Sequence, residues 1–228
     1  MRKLCVLLIL ALASSLAFAD AKSDSTERLQ NAATVLKEIM SAPDKGIPQE
    51  VLDGAKCLIV VPHLVKGGFI FGGKHGRGVA TCRTAHGWSA PAFVSVGGGS
   101  WGLQIGVEGV DLVMVIMNEK GAQHLLSNKF QVGAEASAAA GPVGRHASAG
   151  TDWKADTEIL TYSRAKGAFA GATLEGAVIQ QDDDSTVAIY GKKIDQKSIL
   201  GGSVPAPAVA EGFLSAVRAA AAQAKASS

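Results

Sequence analysis

The run Gly97-Gly98-Gly99-Ser100-Trp101-Gly102 carries two chemical signatures at once. Gly98, Ser100 and Gly102 fit the G-x-S-x-G spacing, in which a serine nucleophile stands on a sharp turn between a strand and a helix. Gly97, Gly99 and Gly102 fit the G-x-G-x-x-G spacing, whose amides meet a pyrophosphate at a helix N-terminus. Both chemistries need a helix to begin there. The next residues are Leu-Gln-Ile-Gly-Val-Glu-Gly, which alternate like a strand. His124 and His146 are candidate bases, but no spacing pairs either with Ser100. A serine hydrolase using Ser100 therefore ranks third among the functions considered, and the expectation is that the protein is not an enzyme. The five histidines, His63, His75, His86, His124 and His146, show no H-x-H or H-E-x-x-H spacing. Asp182-Asp183-Asp184 lacks the alternating ligands and distal Glu of a calcium loop and reads as a solvated turn. Neither a metal nor a cofactor is expected.

The basic residues point elsewhere. Lys66, Lys74, Arg77 and Arg83 flank the first glycine-rich strands, with Trp88 and Trp101 nearby, and Arg164 and Lys166 lie beside another glycine. Lysine and arginine near tryptophan suit a lipid headgroup interface. The plainer reading is a set of solvated loop ends.

The elements that must position these residues centre on Gly67–Gly109. Its glycine density forbids a long helix, since each interior glycine costs about 1 kcal/mol relative to alanine. Bent, closely packed strands tolerate it. Thr26–Met40 has Leu29, Ala32, Ala33, Leu36, Ile39 and Met40 on one helical face, with Asp24 or Ser25 as a cap and a mixed polar face that includes Arg28. A short helix is expected over Ile47–Ala55, with Val51 and Leu52 inward. Cys57–Val61, ended by Pro62, reads as a buried strand, and Leu112–Met117 as a central strand buried on both faces. Further strands are expected at Val79–Arg83, Ala92–Val96, Leu103–Val107, Glu158–Ser163, within Ala168–Gln180 and at Val187–Tyr190. Asn118 caps a helix in which Ala122, Leu125, Leu126 and Phe130 share one side. A last helix over Ala208–Ala224 presents Val209, Phe213, Val217 and Ala220. The expected fold is α+β: one domain with a strongly curved, mostly antiparallel, glycine-rich sheet, barrel-like, flanked by N- and C-terminal helices.

Arg2 and Lys3, the apolar run Leu4–Leu16 and Ala17-Phe18-Ala19 read as a secretory signal peptide over residues 1–19, leaving 20–228 as a single domain. The expected location is periplasmic or secreted. Removing Arg2 and Lys3 from the 22 basic residues balances the 20 acidic ones, so nucleic acid is not an expected partner. An oxidising compartment permits a Cys57–Cys82 disulfide; the alternative is two buried thiols.

An ordered series of blocks runs through most of the mature chain. It includes Ala55-Lys56-Cys57-Leu58-Ile59-Val60-Val61-Pro62, Gly67-Gly68-Phe69-Ile70-Phe71-Gly72-Gly73, Gly87-Trp88-Ser89-Ala90-Pro91-Ala92-Phe93 and Gly98–Gly106. Ala139-Ala140-Gly141-Pro142, Tyr162-Ser163-Arg164-Ala165-Lys166-Gly167 and Gly171-Ala172-Thr173-Leu174-Glu175-Gly176 continue it. The series resembles the SYLF domain family, which includes yeast and animal proteins of the cortical actin and phosphoinositide systems and many secreted bacterial proteins. The resemblance implies non-catalytic lipid binding to anionic headgroups. For a secreted chain it points to envelope phospholipid rather than actin or phosphoinositide. On that basis Lys66, Lys74, Arg77, Arg83, Arg164 and Lys166 are the headgroup candidates, with Trp88 or Trp101 as interfacial anchor. An envelope structural or protein-interaction module, whose glycine-rich strands pair with a partner chain, is the alternative.

Overall fold

The computed structural model describes residues 2–42, 46–69, 71–101, 106–143, 157–165, 168–171 and 174–226; side chains are described over 20–42, 46–66, 73–99, 109–143, 157–164 and 174–222. The elements in chain order are α1 (Arg2–Ser41), α2 (Gln49–Gly54), β1 (Cys57–Phe69), β2 (Phe71–Thr84), β3 (Gly87–Trp88), β4 (Ala92–Trp101) and β5 (Gly106–Ile116). They continue with α3 (Glu119–Leu126), β6 (Lys129–Gln131), β7 (Ala138–Ala140), β8 (Ile159–Ala165), β9 (Ala168–Gly171) and β10 (Val178–Gln181). The last are α4 (Asp183–Tyr190), α5 (Gln196–Leu200), a 3₁₀ turn (Ala208–Ala210) and α6 (Glu211–Ala226).

One sheet holds all these strands in the order β6-β10-β4-β2-β1-β5-β8-β7, with β3 added to β2 and β9 to β8. Every strand pair but β7–β8 is antiparallel. The two outermost strands, β6 and β7, are joined by residues 132–137 alone, and Val132 bridges Ala136 within that link. So short a link reaches at most about 25 Å, and the sheet must curl to bring its ends together. It forms the strongly curved half-barrel expected from the glycine content.

Strand alternation explains the two long apolar runs. Along β1, Leu58 and Val60 join a cluster with Leu36 and Ile39 of α1 and Phe213 and Val217 of α6. Cys57, Ile59 and Val61 join a second cluster with Leu125 of α3, Ile179 of β10 and Leu200 of α5. β5 does the same, with Val113 and Val115 on the first side and Leu112, Met114 and Ile116 on the second. Both faces are covered, so the strands need no polar alternation. Two blocks of the sequence series also meet: a Cβ on Gly141 would lie 2.1 Å from Cζ of the fully buried Tyr162.

Several expectations need correction. Helix α1 does not start at Asp24 or Ser25: it runs through them, and the Ser25 hydroxyl donates back to Ala21 O at 2.8 Å, a bond made inside a helix. Strand β1 does not stop at Pro62. The ladder slips between Val61 and Leu64, so the proline sits in a bulge, where its missing N–H breaks no ladder bond. His63 adopts φ 55° there, and its N–H donates to Asp111 Oδ1 at 3.0 Å. Val187–Tyr190 is helix rather than strand, because Asp182 caps α4 by accepting the Ser185 N–H at 3.1 Å. Asp182–Asp184 is thus a helix start and not a free turn. Phe130 is not on the helix that Asn118 caps: α3 ends at Leu126, its C-cap Ser127 turns extended, and Phe130 lies in β6 opposite Ile179. Val209 is exposed, whereas Phe213, Val217 and Ala220 are buried as expected.

Candidate functional site

Strands β1, β2, β4 and β5 extend past the packed core into a glycine-rich end. There Lys66 of β1 stands directly opposite Lys74 of β2. Lys74 is in register with Gly98 of β4, and Lys66 with Glu108 of β5. The alternation that sends Ala80 and Cys82 into the second cluster also sends Gly76, whose Cβ would meet Leu64 and Val61. Two residues on, Lys74 faces the same side, away from α1. The Lys74 ammonium donates to Glu175 O at 2.8 Å. Burial lowers its pKa and the Lys66 charge adds to that, while Glu175 opposes them. The turn carrying Glu175 lies over β4: a Cβ on Gly98 would be 2.7 Å from Gly176 O. Gly176 itself has φ 73°, a conformation that favours glycine.

The other headgroup candidates are not gathered with this pair. Arg83 holds the C-terminal end of α2, donating from Nε to Ala55 O at 2.8 Å and from Nη2 to Leu52 O at 2.9 Å. Its guanidinium lies 4.7 Å from the Trp88 ring centroid, and Trp88 packs against the first core cluster. That tryptophan is half-buried. Arg164 donates to Asp111 Oδ2 at 2.8 Å and pairs with Glu38, which ties β8 to α1. Arg77 is 3.4 Å from Asp24 and 3.8 Å from Asp182. The side chain of Trp101 and all of Lys166 lie outside the described residues, as do Arg145 and His146.

Sequence reasoning put Arg28 on a solvated face, and the structure buries it. It is 7% exposed, donates to Asp182 Oδ2 and Ser185 Oγ at 3.0 Å each, and lies 5.7 Å from the Phe93 ring centroid. Burial lowers its pKa against the pull of Asp182. Burial would raise the Asp182 pKa, but the Ser185 N–H and hydroxyl and Arg28 together hold it below the usual carboxylate range. A cleft of about 290 Å³ beside this cluster is lined by Asp24, Glu27, His63, His75 and Arg77, among others. Both of its arginines already face carboxylates. The apolar face of α1 is likewise committed to the sheet, with Leu29, Leu36 and Ile39 at most 1% exposed.

Ser100 lies inside β4, paired with Gly72 of β2. A serine within a strand is not at a strand–helix elbow, and the G-x-G-x-x-G spacing opens no helix over Gly97–Trp101. Cys57 and Cys82 are in register across β1 and β2 and form a disulfide. Arg83 N–H donates to Lys56 O at 2.8 Å, which makes the cysteines the closer, non-hydrogen-bonded kind of cross-strand pair. Glu175 and Gly176 were visible in sequence only as part of a block. No local pattern could connect them with Lys74, which lies 101 residues away.

A family model described as "Ysc84: Las17-binding protein actin regulator" matches residues 97–220. An SH3 domain-containing protein of Schizosaccharomyces pombe is 39% identical over 170 residues, covering 72% of this chain and 39% of its own length. Protein YSC84 of Saccharomyces cerevisiae is 32% identical over 194 residues, covering 81% of this chain and 41% of its own. The SH3 domain-containing YSC84-like protein 1 of Rattus norvegicus is 31% identical over 196 residues, covering 83% and 57%. The chain thus spans well under two thirds of each of these relatives.

Proposed function

The chain belongs to the Ysc84 family, the SYLF family of the sequence blocks, and from that premise we propose that it is a non-catalytic binding module of the cell envelope that docks on anionic phospholipid headgroups. The observation that carries the reading is the Lys66–Lys74 pair. Like charges directly opposite each other across two strands repel, and an anion between them turns that repulsion into attraction. With the signal peptide removed the chain has no net charge, so attraction to a membrane must come from a local feature of this kind. The envelope location rests on the leader read in residues 1–19. Co-sedimentation with neutral and anionic vesicles at low and high salt tests the reading. Binding to anionic vesicles that salt weakens is the expected result. Indifference to both vesicle types would end it.

A protein-interaction module is the second reading. The family description names Las17 binding and actin regulation, and β4 continues over Gly98–Trp101 beyond its pairing with β10. A stable oligomer in light scattering, together with indifference to lipid, would favour that reading.

A further inference from the structure

We propose that Lys66 and Lys74 form a seat for a single phosphate group, and that seating it exchanges the Lys74–Glu175 bond for a Lys74–phosphate bond and frees the turn at 174–177. The inference rests on the headgroup reading above and narrows it from a charged surface to one site.

The register across four strands reads Glu108, Lys66, Lys74, Gly98. An anion that reaches Lys74 approaches over β4, where Gly98 stands in register with it. On the lysines' face that flank is covered by the turn at Glu175 and Gly176, since a Cβ on Gly98 would lie 2.7 Å from Gly176 O, so an anion reaches Lys74 by displacing the turn. Each ammonium has three donors and no acceptor. A tetrahedral phosphate presents several oxygens at once and can bridge two such groups. Lys74 gives a donor to a neutral carbonyl, Glu175 O. An ionised oxygen is the stronger acceptor.

The turn that supplies that carbonyl is also held by Leu174 and Ala177, which are buried in the second core cluster. Its other side is pinned to the end of β6: Gly176 N–H donates to Val132 O at 2.9 Å, and Val132 N–H donates to Ala177 O at 2.8 Å. Withdrawing Lys74 therefore removes the attachment on the β4 side alone, and the amides on the Val132 side report the loosening. Glu175 is exposed, and its carboxylate competes with any anion for Lys74.

The test uses the whole chain, anionic vesicles of phosphatidylglycerol and phosphatidylcholine, and two soluble probes, inorganic phosphate and glycerol 3-phosphate. Lys66→Gln and Lys74→Gln are each expected to weaken vesicle binding about fivefold, the worth of one lysine near an anionic surface. Glu175→Gln is expected to strengthen it about twofold, and as an exposed, charge-only change it leaves folding intact. Glycerol 3-phosphate should compete, and hydrogen exchange at Gly176 should quicken on saturation. Circular dichroism and thermal melts confirm that each variant folds. Vesicle binding that ignores both lysine variants, Glu175→Gln and the soluble phosphates would overturn the seat while leaving the headgroup reading to other basic residues. Soluble phosphate that binds through Lys74 without vesicle binding would keep the seat and remove the membrane. Binding of neither probe sinks both.

Discussion

The long strands of this sheet have two ends that share one backbone ladder and little else. At one end, Cys57–Val61, Val79–Cys82, Ala92–Val94 and Leu112–Ile116 are buried on both faces. At the other, the same strands carry Lys66, Lys74, the run Gly97–Gly99 and an exposed Val65. Both ends are hydrogen-bonded, so hydrogen bonding does not distinguish them. The difference is apolar area, worth about 25 cal/mol for each Å² removed from water. One end supplies stability, and the other gives its side-chain positions to glycine and charge. A fold can carry a binding surface of that kind only where the rest of the same strands is packed well enough to hold it in place.

The largest expected effect breaks the stable end. Phe93 is fully buried between α1 and the sheet, under the Arg28 guanidinium. Phe93→Ala should cost about 4 kcal/mol, read as a shift in the denaturant midpoint with an unchanged slope. A loss below about 1 kcal/mol would mean that this end is not the main source of stability.

Next is the disulfide, which ties β1 to β2 at the stable end across a separation of 25 residues. The Cys57→Ser, Cys82→Ser double variant should lose about 3 kcal/mol, largely through a freer unfolded chain. If the glycine-rich end is independent of this staple, the double variant should bind vesicles with unchanged affinity at a temperature where it stays folded.

Third is the clasp that fixes α1. Asp182→Asn keeps the helix cap but takes from the buried Arg28 guanidinium its buried charge partner, leaving it the exposed Asp24 at 3.7 Å. The expected loss is about 2 kcal/mol near neutral pH. The folded-state pKa of Asp182 is depressed, so its contribution is present above the unfolded value of about 3.9 and is lost as pH falls through the lower folded value. The melting temperatures of wild type and variant should therefore converge below about pH 4. A gap that persists unchanged into acid would show that the ion pair is not what holds α1.

The same division separates the features legible in the sequence from those that were not. Periodicity identified the face of α1, the inward Val51 and Leu52 of α2, the Asn118 cap and the doubly buried β5, because each rests on residues close together in the chain. Glycine density pointed to the curved, mostly antiparallel sheet. Pattern alone missed α4, since Thr186-Val187-Ala188-Ile189-Tyr190 has strand-like composition and only the Asp182 cap reverses it. It also misplaced Arg28, because nothing local marks a charge whose partner is 154 residues away. Among the headgroup candidates the sequence could supply cations but not their bonds. Arg83 and Arg164 proved to be fasteners of α2 and α1, while Lys66 and Lys74 were brought together by register.

The smallest expected effect is the one that sharpens the comparison most. Gly99 of β4 is exposed, and a Cβ there would meet nothing within 4 Å. Gly99→Ala should raise stability by about 0.5 kcal/mol, because alanine restricts the unfolded chain and meets no obstacle in the folded one. The same change at Gly78 goes the other way, since its Cβ would fall 2.5 Å from Val60 O in the packed end. Opposite signs for one substitution at two glycines of one sheet would establish that glycine serves close packing at one end and open surface at the other. If Gly99→Ala instead destabilises by more than about 1 kcal/mol, some other surface covers this face of the glycine-rich end in solution, and that face is an interface rather than open surface.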